Sequence, residues 1–197
     1  MTFVLGLTGS IGMGKSTTAG LFAQAGCEVW DADAAVHRLY SPGGAAVDRI
    51  AAVFPEAIEA QAVSRKVLKQ LIQDEPARLR EIEKLVHPLV AADRAAFLKQ
   101  VKSDIAVLDI PLLYETGGAD QMDAVVVVSA PADVQRARVL DRGSMTEAQF
   151  EQILAKQVPD AEKRARADYV ITTDTVEHAS AQVQNVVADI RGKLTHA

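Results

Sequence analysis

Apolar positions along the chain follow two patterns. Five short runs are apolar on both faces of any strand drawn through them: 3–7 (FVLGL), 28–31 (EVWD), 105–110 (IAVLDI), 124–129 (AVVVVS) and 169–173 (YVITT). Such β-branched runs, without polar alternation, suit parallel strands covered by helices on both sides. Between them the period lengthens to that of a helix, at 15–25, 131–142, 146–157 and 176–194. Strands alternating with helices predict an α/β chain built on a five-stranded parallel sheet.

The spacing of the strands is uneven. More than seventy residues separate 31 from 105, whereas a crossover needs about a dozen and a structureless loop of that length is improbable. Leu68, Leu71 and Ile72, then Leu79, Ile82, Leu85 and Val86, recur at helical spacing. The segment therefore reads as a helical insert over about 34–103. Its expected break is VHPLV, because Pro88 disfavours α geometry at His87. A second helical excursion, about 139–167, separates the fourth and fifth strands and carries Arg142, Lys156, Lys163, Arg164 and Arg166, with Arg138 just before it. No repeat or Pro/Gly-rich linker divides the 197 residues, which read as one domain with a core of about 1–33, 104–138 and 168–197.

The first strand runs directly into GSIGMGKS, residues 9–16. This G-x-x-x-x-G-K-[ST] spacing, between a strand and a helix, is that of a phosphate-binding loop. A polyphosphate is surrounded by backbone N–H groups only if side chains stay clear, hence Gly9, Gly12 and Gly14. Lys15 supplies a point charge for the β- and γ-phosphates. The Ser16 hydroxyl suits magnesium, a cation that prefers oxygen ligands. Gly26 is placed to end the helix that follows.

Composition narrows the class. A formal net charge of −5 argues against a surface that grips nucleic acid. No stretch approaches a transmembrane span, and a motif so near the N-terminus leaves no room for a signal peptide, so a cytoplasmic location is expected. The single cysteine, Cys27, excludes an internal disulfide and reads as a packing residue. Trp30 reads likewise as core. The oligomeric state is not readable.

Ligands of parallel α/β sheets bind at the carboxyl ends of the strands. Those ends carry the glycine loop, Asp31 with Asp33, and Asp109 with Pro111. Three readings compete. A GTPase switch requires an Asn-Lys-x-Asp guanine reader, and the only asparagine is Asn185, in QNVVAD. A motor ATPase usually ends a strand near the loop in paired acids, where this chain has Asp109 alone. A small-molecule kinase explains both helical excursions, one holding an acceptor and one closing over ATP, and also the arginines, since phosphoryl transfer is largely positioning and charge neutralisation.

Spacing does not name the acceptor. The stretches LTGSIGMGKST, VWDADAAVHRLYSPGGAA, LVHPLV, DIPLLYE and RADYVI, in that order and over nearly the whole chain, resemble the dephospho-coenzyme A kinases. The resemblance implies a three-layer P-loop kinase fold with a helical acceptor-binding insert and a helical lid. It implies transfer of the ATP γ-phosphate to the ribose 3′-hydroxyl of dephospho-coenzyme A, with magnesium; the alternative is another P-loop kinase acting on a nucleotide or nucleoside. Carried over residue by residue, Gly12, Met13, Gly14, Lys15, Ser16 and Thr17 hold ATP and magnesium, and Arg138 and Arg142 come from the lid side, Arg142 as a catalytic cation. Asp33 is the base at the 3′-hydroxyl, and His87, Leu112, Leu113 and Glu115 lie along the acceptor groove.

Blander readings stand beside these. Asp31 or Asp33 can be an N-cap. His87 can be a turn residue. Arg138 and Arg142, four apart, can form a solvated face with Asp141 and Glu147. EKRARAD, 162–168, is by default a charged helix surface, with Lys163 alone retained as a phosphate contact. The chain also departs from the family pattern. Met13 replaces a small loop residue, with its side chain expected to point outward. Thr173-Asp174-Thr175 stands where Asn-x-Gly is usual near the adenine. AIEAQAVSRK lacks the usual D-G turn, although Arg65 still matches the arginine that follows it.

Overall fold

The computed structural model describes residues 2–195. In chain order it contains β1 (Phe3–Thr8), α1 (Lys15–Gln24), β2 (Glu28–Asp31), α2 (Ala32–Tyr40), α3 (Ala45–Ala51), β3 (Ile58–Glu59), β4 (Ala62–Val63), α4 (Arg65–Asp74), α5 (Arg78–Gln100), β5 (Ile105–Asp109), β6 (Ala124–Ser129), α6 (Ala132–Asp141), α7 (Glu147–Leu154), α8 (Asp160–Arg166), β7 (Tyr169–Thr172) and α9 (Val176–Thr195). Residues up to Trp30 and from Val101 onward form one compact unit, and Asp31–Gln100 forms another.

The first unit is built on a five-stranded sheet in the order β2-β5-β1-β6-β7. β1 runs parallel to β5 and to β6, and β6 parallel to β7. The apolar runs of the central strands are buried on both faces, whereas the edge strands β2 and β7 leave Asp31 and Val170 exposed, having a neighbour on one side only. Every residue of β6 is buried; Val126 and Val128 join Leu5, Leu7, Phe22 and Val183 in one core, while Val125 and Val127 join Leu113 and Tyr114 in another. α1 and α9 cover the first face, and α8 with the loop after β5 covers the second. α1 ends where Gly26 was expected to end it. Gly26 N–H reaches Ala23 O and Cys27 N–H reaches Phe22 O, the paired bonds of a Schellman cap. Cys27 is 5 % exposed, and burial pushes its thiol up to about 11, against the opposing pull of Arg191. Trp30 is likewise buried.

The second unit has its own core of Leu39, Ile50, Phe54, Val63, Leu68, Ile82 and Val86. Two of its features differ from the sequence reading. The helix expected to break at His87 continues, and Pro88 lies inside the 23-residue α5. An interior proline costs about 3 kcal/mol, but Ile82 and Val86 before it and Leu89 and Val90 after it all pack on the same core. Pro88 and Lys84 are exposed, so water can take the carbonyl that the proline cannot serve.

The other difference is the hairpin β3–β4, in which Ile58 pairs with Val63 and Glu59 with Ala62. Its two turn residues, Ala60 and Gln61, have φ of 47° and 62°, the left-handed conformation that tight hairpins favour and side chains resist. A non-glycine residue there costs about 1–2 kcal/mol, of which glycine's extra chain entropy returns up to about 1. Gln61→Gly, at an exposed position, is expected to raise unfolding stability by about 0.5–1 kcal/mol in urea titration. A loss of stability would mean that the turn is not left-handed.

Candidate active site

The register Leu7↔Asp109 sets the C-terminal end of β5 beside the point where β1 enters the glycine loop. Asp109 is 1 % exposed there, and Lys15 Nζ lies 2.5 Å from its Oδ1. The loop lysine is thus held by an acid ninety-four residues away. Two glycines are fixed by space as well as by φ. At Gly12 (φ 77°) a Cβ would come within 2.5 Å of Val139 Cγ2, and at Gly14 (φ 89°) within 3.0 Å of Thr173 Oγ1. Gly14 is the N-cap of α1, and no side chain caps that helix. The first N–H groups of α1 are therefore left to an acceptor from outside the helix, the arrangement that suits a phosphate.

Side chains from distant elements brace the loop. Ile11 N–H donates to Gln157 Oε1 at 3.1 Å, and Gln135 Nε2 donates to Ile11 O at 2.7 Å. Met13 does not point outward as its sequence position suggested. It is 3 % exposed, packs with Leu7 and Val128, and its sulfur accepts the Ala130 N–H at 3.0 Å. A flexible thioether fills an irregular space beneath the loop that a small residue would leave open.

A cleft of about 240 Å³ beside the loop is lined by Gly14, Thr17, Arg138, Arg142, Thr173, Thr175 and Val176, among others. Four of the expected site residues meet here: Gly14, Thr17, Arg138 and Arg142. Arg138 is not a solvated side chain, since Nη1 donates to Thr173 Oγ1 at 2.9 Å and Nη2 to Thr173 O. Arg142 caps α6 and is exposed. Glu147, the partner considered for these arginines, pairs with Arg136 instead. Ser16 and Thr17 are exposed in the first turn of α1.

The loop after β5 holds three of the four residues expected along the acceptor groove. Leu112 is 43 % exposed. Leu113 is fully buried and packs against Gly6, where a Cβ would come within 2.8 Å of it. Glu115 accepts the Val158 N–H at 2.9 Å and lies 2.8 Å from Lys163 Nζ. Burial alone would push its carboxyl up, but the bonds from Lys163 and Val158 outweigh that and hold it below its usual 4.5. Lys163 is fully buried, so EKRARAD is not simply a charged surface, and this lysine faces a carboxylate rather than a phosphate. Arg166 stacks over Tyr114 at 4.3 Å, and Asp160 accepts the Ser129 hydroxyl at 2.8 Å. The return limb of the second excursion is therefore tied to its own unit at Gln157, Val158, Asp160 and Lys163.

The remaining expected residues belong to the second unit. Asp31 caps α2, accepting the Ala34 N–H at 2.9 Å. That leaves Asp33 an exposed carboxylate in the helix's first turn, not its cap. His87 is exposed within α5. Sequence reading placed Asp109 at the ligand edge without a role, marked Thr173 only as part of a departure near the adenine, and missed Gln135 and Gln157 altogether. No local pattern encodes the contacts of Asp109 with Lys15, Gln135 and Gln157 with Ile11, and Thr173 with Met13, which span 94 to 160 positions.

A phosphate loop between a central strand and α1, a lysine held beside it, and an arginine-lined cleft define a P-loop kinase. The solved structures agree on the fold: TT1252 from Thermus thermophilus superposes with a TM-score of 0.85 at 29% identity, over 95% of this chain and 97% of that one. Dephospho-CoA kinase from Campylobacter jejuni superposes at 0.66 with 19% identity, over 96% and 97%. The family model for dephospho-CoA kinase matches residues 3–178, and a dephospho-CoA kinase of Ruegeria pomeroyi is 62% identical over 197 residues, 100% of both chains. The chain belongs to the dephospho-CoA kinase family.

Proposed function

We propose that this chain transfers the γ-phosphate of ATP to the ribose 3′-hydroxyl of dephospho-CoA, giving CoA and ADP. Its likeness to dephospho-CoA kinases along its entire length carries the reading, and the loop chemistry accords with it. Lys15 and the N–H groups opening α1 bind the β- and γ-phosphates. Thr17 and Arg138 line the nucleotide cleft, and Arg142 at its rim meets the charge that develops on the transferring group. The exposed Ser16 hydroxyl in the first turn of α1 is the kind of oxygen donor that suits magnesium. Magnesium, when bound, would neutralise charge on the β- and γ-phosphates. Asp33 accepts the hydroxyl proton as the oxygen attacks γ-phosphorus and the bond to the β-phosphate oxygen breaks. His87, Leu112 and the loop fixed by Leu113 and Glu115 bind the acceptor. The insert of about 34–103 holds that acceptor, and the excursion of about 139–167 excludes water, which would otherwise hydrolyse ATP.

ADP formation, measured with dephospho-CoA, AMP, adenosine and no acceptor, tests the reading. Turnover with dephospho-CoA alone is expected. Equal turnover with AMP or adenosine would point to a nucleotide or nucleoside kinase, and equal turnover without acceptor would point to an ATPase.

A further inference from the structure

Thr173 lies just beyond the end of β7 and is 6 % exposed. Its hydroxyl stands 2.7 Å from Met13 O, 2.9 Å from Arg138 Nη1 and 3.4 Å from Ser129 O. A guanidinium only donates, and a hydroxyl has one proton. The oxygen therefore accepts from Arg138, and the proton goes to the nearer carbonyl, that of Met13. The direction of this two-bond chain is fixed: Arg138 to Thr173 to the phosphate loop.

Both ends of the chain have consequences. In a planar trans peptide the C=O and the following N–H point opposite ways. Tying Met13 O to Thr173 thus turns the Gly14 N–H away from Thr173, at the residue that caps α1. A side chain at Gly14 would meet the same hydroxyl, since an added Cβ would come within 3.0 Å of Thr173 Oγ1. At the other end, Arg138 grips Thr173 with both terminal nitrogens, on the side chain and on the carbonyl. A two-point grip fixes the guanidinium plane as a single bond would not. Gly14, Arg138 and Thr173 all line the same cleft.

We infer that Thr173 is a positioning residue for the nucleotide: its one hydroxyl presets both the Met13–Gly14 peptide of the phosphate loop and the Arg138 guanidinium in the cleft wall. This rests on the proposal that loop and cleft bind ATP. Without that hydroxyl, ordering both groups falls to the incoming nucleotide, and affinity drops.

The test compares Thr173→Val, Thr173→Cys and Thr173→Ser by steady-state kinetics, calorimetric titration with ADP, and thermal melting. Valine keeps the shape without the hydroxyl, cysteine offers only a weak S–H donor, and serine keeps the hydroxyl. The KM for ATP and the Kd for ADP are expected to rise about tenfold in Thr173→Val and to return to within about twofold of wild type in Thr173→Ser, with the acceptor KM little changed. Thr173→Cys is expected to bind ADP more weakly than Thr173→Ser, and it decides the matter should the valine variant be unfolded at the assay temperature. Combining Thr173→Val with Arg138→Met should weaken ADP binding by less than the product of the two single effects. Wild-type ADP affinity in Thr173→Val, or a serine variant no better than cysteine, would overturn the inference. Failure of the wild-type chain to bind ADP would instead overturn the ATP-site reading on which it stands.

Discussion

Replacing Asp33 by asparagine is expected to lower kcat by about a hundredfold to ten-thousandfold, the usual cost of losing a general base. The fold gives the experiment a clean background. The cap of α2 is Asp31, through its bond to Ala34 N–H, so Asp33→Asn leaves that bond in place. The substitution removes only a first-turn carboxylate that favours the helix dipole by about 0.3–1 kcal/mol, and melting should fall by no more than a few degrees. ATP affinity should barely change, because Lys15 and the loop amides carry it. Asp31→Ala is the contrasting variant: losing the cap costs about 1 kcal/mol of stability without touching the proposed base. A kcat for Asp33→Asn near that of wild type would remove Asp33 from the chemistry.

Lys15→Ala is expected to lower turnover by about a hundredfold to a thousandfold, equivalent to about 3–4 kcal/mol of lost transition-state stabilisation. Here the structure complicates the readout. Lys15 Nζ stands 2.5 Å from Asp109, which is 1 % exposed, so the variant also strips a buried carboxylate of its cation. Part of any loss will therefore appear as lower stability. The assay should run well below the melting temperature, with the folded fraction followed by circular dichroism. A fully folded Lys15→Ala with near-normal turnover would mean that GSIGMGKS is not the catalytic phosphate site.

What was legible in the sequence had a local signature. AVVVVS announced a strand buried on both faces, and all six of its residues are buried. G-x-x-x-x-G-K-S between a strand and a helix marked the loop. The features that escaped had none, or a misleading one. Pro88 signalled a break, but a continuous apolar face on both sides of it outweighed one missing hydrogen bond. The β3–β4 turn uses Ala60 and Gln61, where only glycine, asparagine or aspartate would have marked a left-handed turn. Lys163 was read as a phosphate contact, because its partner Glu115 lies 48 positions earlier and its burial exists only once α8 has packed on β6. Thr173 meets Met13 across 160 positions, a contact no local pattern encodes.

The burial of Cys27 has a meaning tied to the proposed chemistry. Both dephospho-CoA and CoA end in a free thiol, so an enzyme handling them is bathed in a potential partner for disulfide exchange. Exchange requires an accessible thiolate. The only sulfhydryl of this chain is 5 % exposed and titrates at about 11, so near neutral pH almost none of it is ionised and little of it can be reached. Neither substrate nor product, nor their oxidised disulfides, can readily become covalently attached to this chain.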